Sequence, residues 1–228
     1  MATGQEHTVK VFDDEIGHLR GLISQMGGLA ERAIHDAMNA LQRSDLALAQ
    51  QVRLADKQID TIEAEVETLA VQIIALRAPM ANDLREVVAA LKIAGVIERI
   101  GDYAKNIAKR VPLIVSDTRI EPISTLPAMA RMASEMVHDA LDAFAARDAD
   151  AAIRVCESDR ALDDYYDSIF RTLLTHMIEN PTTITQVAHL MFVAKNLERI
   201  GDHATNVAEM VHFAATGTKL TDRGANAA

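Results

Sequence analysis

Glu98-Arg99-Ile100-Gly101-Asp102-Tyr103-Ala104-Lys105-Asn106 recurs as Glu198-Arg199-Ile200-Gly201-Asp202-His203-Ala204-Thr205-Asn206, changed only at Tyr103/His203 and Lys105/Thr205. Two unrelated amphipathic helices would share apolar spacing by chance. They would not share Glu, Gly, Asp and Asn at fixed places, so the chain is an internal repeat. The correspondence continues upstream: His35-Asp36-Ala37 matches His138-Asp139-Ala140, Asp45 matches Asp148, Asp56 matches Asp159, and Asp60 matches Asp163.

Outward from the motif, apolar residues keep helical spacing almost everywhere, as in Phe12, Ile16, Leu19, Ile23, Met26 and Ala30. Breaks fall at Arg43-Ser44-Asp45, Ala78-Pro79-Met80, the stretch from Pro112 to Pro122 or Pro127, Arg147-Asp148, and Asn180-Pro181. Proline removes a backbone donor and crowds the preceding turn, so these prolines read as helix ends. Asp45 and Asp148 read as N-caps, each accepting from the free N–H groups of the helix it opens. The spacing predicts six helices, roughly 9–43, 45–77, 81–111, 125–146, 148–178 and 181–214. The expected fold is all-α: two tandem, pseudo-two-fold related three-helix bundles at 1–114 and 120–216, with a disordered tail at 217–228.

The composition agrees. Of the 228 residues, 49% are apolar but only 4% aromatic, with no Trp, so the core must be Ala, Leu, Ile, Val and Met packed between helices. The formal charge of −10 disfavours nucleic acid, whose binding draws on Lys and Arg against phosphates, and disfavours an anionic membrane surface. Cys156 stands alone, excluding an internal disulfide, and its apolar surroundings suggest a small core side chain. Met1 to His7 lacks the apolar run of a signal peptide, and the longest uncharged run, Asn180 to Ala194, is too short and polar to span a bilayer. A cytoplasmic protein without direct membrane insertion is expected.

Glu98, Asp102 and Asn106 fall at i, i+4 and i+8, forming one stripe about 12 Å long beside the apolar face of their helix. Like charges four apart repel by a few tenths of a kcal/mol, and the chain accepts that twice. A bound cation would explain it, since hard cations take carboxylate oxygens. Asp56, Asp60, Glu63 and Glu67 share a face of the second helix, and Asp159, Asp163 and Asp167 a face of the fifth. If these faces converge with the motifs, the candidate metal ligands are Glu98, Asp102, Glu198, Asp202, Asp60, Asp163, Asp56 and Asp159. Asn106, Asn206, Arg99 and Arg199 are candidates for supporting contacts behind them. All-oxygen ligation suits Mg, Mn, Ca or Fe over Zn. The plainer reading is a solvated acidic face neutralised by Arg99, Lys105, Lys109 and Lys195. A mid-helix glycine costs about 1 kcal/mol against alanine, so its repetition at Gly101 and Gly201 points to close helix approach or exposed backbone.

A second reading rests on Glu135-Met-Val-His138 and Glu209-Met-Val-His212, whose Glu-x-x-His spacing is that of di-metal carboxylate bundles, enzymes or iron stores. It fails the repeat comparison, because Glu135 matches Arg32 and Glu209 matches Lys109. No phosphate-cradling glycine loop or Gly-x-Ser-x-Gly occurs, so no enzyme is expected. His203 reads as a surface residue at the motif edge.

The doubled Glu-Arg-Ile-Gly-Asp-x-Ala-x-Asn, the opening Phe12-Asp13-Asp14-Glu15-Ile16 with Met26-Gly27, and Asp56-x-x-Ile59-Asp60 with Asp159-x-x-Leu162-Asp163 resemble the PhoU family of phosphate signalling proteins over roughly residues 8–214. The resemblance implies paired three-helix bundles, usually dimeric, with multinuclear metal sites holding iron in some members and manganese or magnesium in others. It implies a non-enzymatic negative regulator of phosphate uptake and phosphate-starvation signalling. Such a regulator is an adaptor between the ATPase subunit of the phosphate ABC transporter and a sensor histidine kinase, and it sits at the inner membrane through those partners.

Overall fold

The computed structural model describes residues 3–114 and 124–220, with side chains from Phe12 onward. Six α-helices follow one another: α1 Thr3–Arg43, α2 Leu46–Arg77, α3 Ala81–Ile114, α4 Leu126–Ala146, α5 Ala149–Glu179 and α6 Ile184–Thr216, the last preceded by a 3-10 turn at Pro181–Thr183. There is no strand among the described residues.

The first hairpin of each half is built by the same device. Ser44 (φ 54°) and Arg147 (φ 55°) take the left-handed conformation, and the following Asp45 and Asp148 return their N–H groups to Ala40 O and Ala143 O, each at 2.9 Å. The helix end is thereby closed as in a Schellman turn. Asp45 then accepts from Leu48 N at 2.9 Å, and Asp148 Oδ1 from Asp150 N and Ala151 N at 2.9 Å, as the capping reading expected.

Three boundaries differ from expectation, the first being that of α1, which begins at Thr3 and not near residue 9. Pro112 does not end α3, which continues to Ile114. So near the terminus the ring removes only a bond of the last turn, and Pro112 itself lies exposed. Asn180-Pro181 opens a single 3-10 turn before α6 begins at Ile184. Of the tail set apart at 217–228, Gly217 (φ 75°) caps α6 by donating to Phe213 O at 2.8 Å; residues 221–228, like 115–123 of the connection, lie outside the described residues.

α1, α2 and α3 form one three-helix bundle and α4, α5 and α6 the other; the bundles join through α3 on α6 and α1 on α4. α2 and α5 form the flanks. α3 and α6 run antiparallel: Arg110 Nη1 lies 3.0 Å from His189 Nδ1, and Arg85 Nε donates to Ala214 O at 3.4 Å. With neighbours on three sides, α3 buries more than one stripe. Ala89, Ala90, Ile93, Val96, Ile100 and Ile107 are buried beside Val87, Ala94, Ile97, Ala104, Ala108 and Val111, whereas Leu84 at its start is exposed.

Candidate metal centre in the paired acidic seams

The acidic stripe of α3 faces α2, and that of α6 faces α5. The repeated glycine allows this. A Cβ on Gly101 would stand 2.7 Å from Ile59 Cδ1, and one on Gly201 would overlap Leu162 Cδ2, so the helices approach where the motif lacks a side chain. Asp56 and Asp159 lie in the same gaps, their Oδ1 atoms 3.5 and 3.6 Å from those hypothetical methyls.

In the first copy a lysine fills the gap. Lys105 Nζ donates to Asp56 Oδ2 at 2.5 Å and to Asp102 Oδ1 at 2.8 Å, joining α2 to its own helix. The Asp56 side chain is only 6% exposed there. The two carboxylates, Asp102 first, hold the ammonium well above the usual lysine range. The rest of the expected cluster is looser. Burial raises the Glu98 carboxyl, helped by Asp102 and Glu63; burial and then Glu67 raise Glu63. Asp60 and Glu67 are exposed.

In the second copy Thr205 replaces Lys105, and no ammonium enters between the corresponding aspartates. Asp159, Asp163 and Asp202 bring one ligand oxygen each within 4.8 Å of one another, the only such group of three among the described residues. Asp159 Oδ1 and Glu198 Oε2 are buried without a hydrogen-bond partner. Burial, followed by the charges of Asp163 and Asp202, pushes the Asp159 carboxyl up to about 6. Burial and Glu198 raise Asp163 as well. The lysine of this copy stands elsewhere: Lys195 donates to Glu198 Oε1 at 2.5 Å and lies 5.2 Å from the centre of the Tyr166 ring. Crowded carboxylates with unpartnered buried oxygens fit a hard cation; the first copy does not, because an ammonium already satisfies its two aspartates.

The remaining candidates separate from the cluster. Asn106 Oδ1 accepts from Lys109 Nζ at 3.3 Å, and Asn206 is exposed. Arg199 lies 5.9 Å from the Tyr103 ring centre, at the seam between the repeats, and Asp167 is exposed. His203, expected at the surface, is half-buried, with its ring 5.1 Å from that of Tyr103. It is partly covered because α3 packs on α6 at the motif itself. Cys156 is half-buried against the core, and burial pushes its thiol to about 11, so it stays protonated and unreactive. The Glu-x-x-His pairs do not converge. His138 Nδ1 pairs with Glu31 at 3.3 Å, and His212 Nδ1 lies 3.1 Å from Thr218 O.

One buried ionic contact had no sequence signal. Glu86 on α3 is 6% exposed and is held by Arg20 of α1 and by Arg147 in the α4–α5 turn, tying the two repeats together. Its match, Gln186, marks no pattern.

These features define a class: an all-α protein of two fused three-helix repeats, each with a carboxylate seam between its second and third helices. The PhoU domain model matches residues 23–111 and 126–211, so the chain belongs to the PhoU family. It is 54% identical over 217 residues to a phosphate-specific transport system accessory protein PhoU homolog of Zymomonas mobilis, covering 95% of this chain and 92% of the relative. A homolog of the same description from Caulobacter vibrioides is 47% identical, with 96% and 95% covered. The crystal structure of PhoU from Pseudomonas aeruginosa superposes with a TM-score of 0.85 at 38% identity, covering 91% of this chain and 100% of that one. That of the phosphate transport system regulatory protein PhoU from Streptococcus pneumoniae gives 0.86 at 26%, covering 92% and 99%. By family the chain is a regulatory accessory protein and not an enzyme.

Proposed function

We propose that this chain is a negative regulator of phosphate uptake and phosphate-starvation signalling. In this reading it is an adaptor between the ATPase subunit of a phosphate ABC transporter and a sensor histidine kinase, carrying a metal ion in its second repeat. The regulatory role in phosphate transport is supported by relatives named as accessory proteins of a phosphate-specific transport system. The negative sign, the two partners and the homodimer extend that reading. Among the described residues no helix is long and apolar enough to cross a membrane, which suits a cytoplasmic adaptor held at the membrane by protein contact. The repeats at 1–114 and 120–216 would act as its two arms, in keeping with the two matched stretches.

The observation that carries the metal reading is the convergence of Asp159, Asp163 and Asp202, with Glu198 Oε2 buried and unpartnered nearby. Three or four carboxylates suit Mg, Mn, Ca or Fe. A bound cation would offset the burial and the neighbouring charges that raise Asp159 and would clamp α5 to α6.

The test is paired. Metal content of the purified protein is measured by mass spectrometry beside an Asp159→Asn, Asp163→Asn, Asp202→Asn variant, and phosphate-starvation reporter output is read in cells carrying each. Loss of metal with rising reporter output at high phosphate is expected. Full repression by a metal-free, folded variant would separate the adaptor from the ion.

A further inference from the structure

The two seams are built from matching aspartates and keep Arg99/Arg199 and Lys57/Arg160, but they differ in the cations that stand beside those aspartates. Asp56 and Asp102 of the first repeat correspond to Asp159 and Asp202 of the second. Between the first pair lies Lys105 Nζ, at 2.5 and 2.8 Å. Between the second pair the matching residue is Thr205, whose neutral hydroxyl brings no charge. Two further positions change in the same sense: Arg53 and Lys109 of the first repeat are Cys156 and Glu209 in the second. Lys195, which has only Gly95 opposite it, is engaged with Glu198 and the face of Tyr166.

We infer that Lys105 is a built-in cation, its ammonium taking the place in the first repeat that a metal ion takes in the second, so that the chain loads metal asymmetrically. This rests on the metal reading above and narrows it to one of the two motif copies.

The argument is one of occupancy. Oxygen ligands hold hard cations at about 2.0–2.6 Å, so an ion shared by Asp56 Oδ2 and Asp102 Oδ1 would need the volume that Nζ fills. An ammonium tethered to the same helix as Asp102 competes at a high effective concentration, whereas a free ion must first be dehydrated. It also satisfies the buried Asp56 permanently, whatever the metal supply. The first seam is therefore a fixed electrostatic clamp between α2 and α3, and the second is a clamp that closes only when an ion is present. One half of the bundle is constitutive and the other responsive, although both descend from one repeat.

The experiment uses the full chain, stripped with chelator and titrated with Mn(II) alone, reading stoichiometry by calorimetry and position by the paramagnetic broadening of nearby amides. Wild type is expected to broaden amides around Asp159 and Asp202 and to spare those around Asp56 and Asp102. Lys105→Thr, which copies the second repeat, should gain binding at Asp56 and Asp102. Thr205→Lys, which copies the first, should weaken binding at the second seam at least ten-fold while the protein stays folded, so the inference remains testable if Lys105→Thr misfolds. Equal broadening of both seams in wild type, or a Thr205→Lys variant that binds as wild type does, would overturn the asymmetry and leave the metal reading standing. No binding by wild type at either seam would overturn both.

Discussion

Tyr103 and His203, the same position in the two copies of the motif, meet edge to face with ring centroids 5.1 Å apart and planes at 81°. Residues related by a two-fold axis can touch only beside it, so this contact marks the pseudo-axis, where α3 crosses α6. Burial lowers the His203 imidazole below its ordinary value of 6.5, and Arg99 and Arg199 press the same way, against its hydrogen bond to the Arg199 carbonyl and the pull of Asp202. A depressed histidine favours the neutral ring in the fold. Its contribution is therefore present above about pH 6.5 and is lost as pH falls through the lowered value. Urea denaturation of wild type and His203→Phe at pH 8 and pH 5 should show wild type losing more on acidification than the variant. Parallel losses would mean that the ring does not titrate against the fold.

Asp159 titrates with the opposite sign. Its carboxyl is raised from 3.8 to about 6, so the ionised form strains the metal-free fold, and stability is gained as pH falls from above 6 towards 4. Asp159→Asn removes the charge and keeps the shape. In chelator at pH 8 it should melt higher than wild type. In saturating Mg(II) or Mn(II) the order should reverse, because an ion at 100 times its Kd adds about 2.7 kcal/mol to wild type alone. A variant that melts no higher without metal would show that the cluster is already neutralised by other means.

The repeat, the two aspartate caps and the glycine-dependent approach of α2 to α3 and α5 to α6 were legible in the sequence because each depends on local rules repeated twice. What was not legible is that Lys105, read only as one of four cations neutralising the acidic face, bridges to Asp56 on α2. It lies three residues from Asp102, and its four-carbon stem can swing to solvent or into the seam; only the position of Asp56 on α2 decides. Counting acids on each face gave eight equivalent candidates, yet the long side chains Lys105 and Lys195 fall at different places in the two seams and break that equivalence. His203 was misread because its burial comes from the other repeat, which the helical period cannot reveal.

Glu86 is invisible to pattern analysis and should matter more than the exposed acids. Glu86→Ala would leave Arg20 and Arg147, 31% and 54% exposed, without their shared partner at the joint between the repeats. Both arginines reach water once freed, so the loss falls short of that of a fully buried pair and should be about 1.5 kcal/mol, the value of hydrogen bonds to a charged group. At roughly 2–4 °C per kcal/mol for a chain of this size, the melting temperature should fall by about 3–6 °C. Arg147→Ala should cost far less, since its side chain is 54% exposed and Arg20 still satisfies Glu86. Equal losses for the two would place the energy in the α4–α5 turn and not in the ion pair.

Two glycine substitutions separate helix propensity from helix packing. Gly21 on α1 is exposed and has open space where a Cβ would go, so Gly21→Ala should stabilise the fold by up to about 1 kcal/mol. Gly201→Ala gains the same propensity, but its methyl meets Leu162, which is fully buried between α5 and α6. Overpacking costs about 1–3 kcal/mol, so the net change should be a loss of about 1 kcal/mol. The displaced α5 would also draw Asp159 and Asp163 away from Asp202, so Mn(II) affinity should fall in Gly201→Ala and stay unchanged in Gly21→Ala. If Gly201→Ala is as stable as Gly21→Ala and binds Mn(II) as wild type does, the repeated glycine does not set the spacing of the seam.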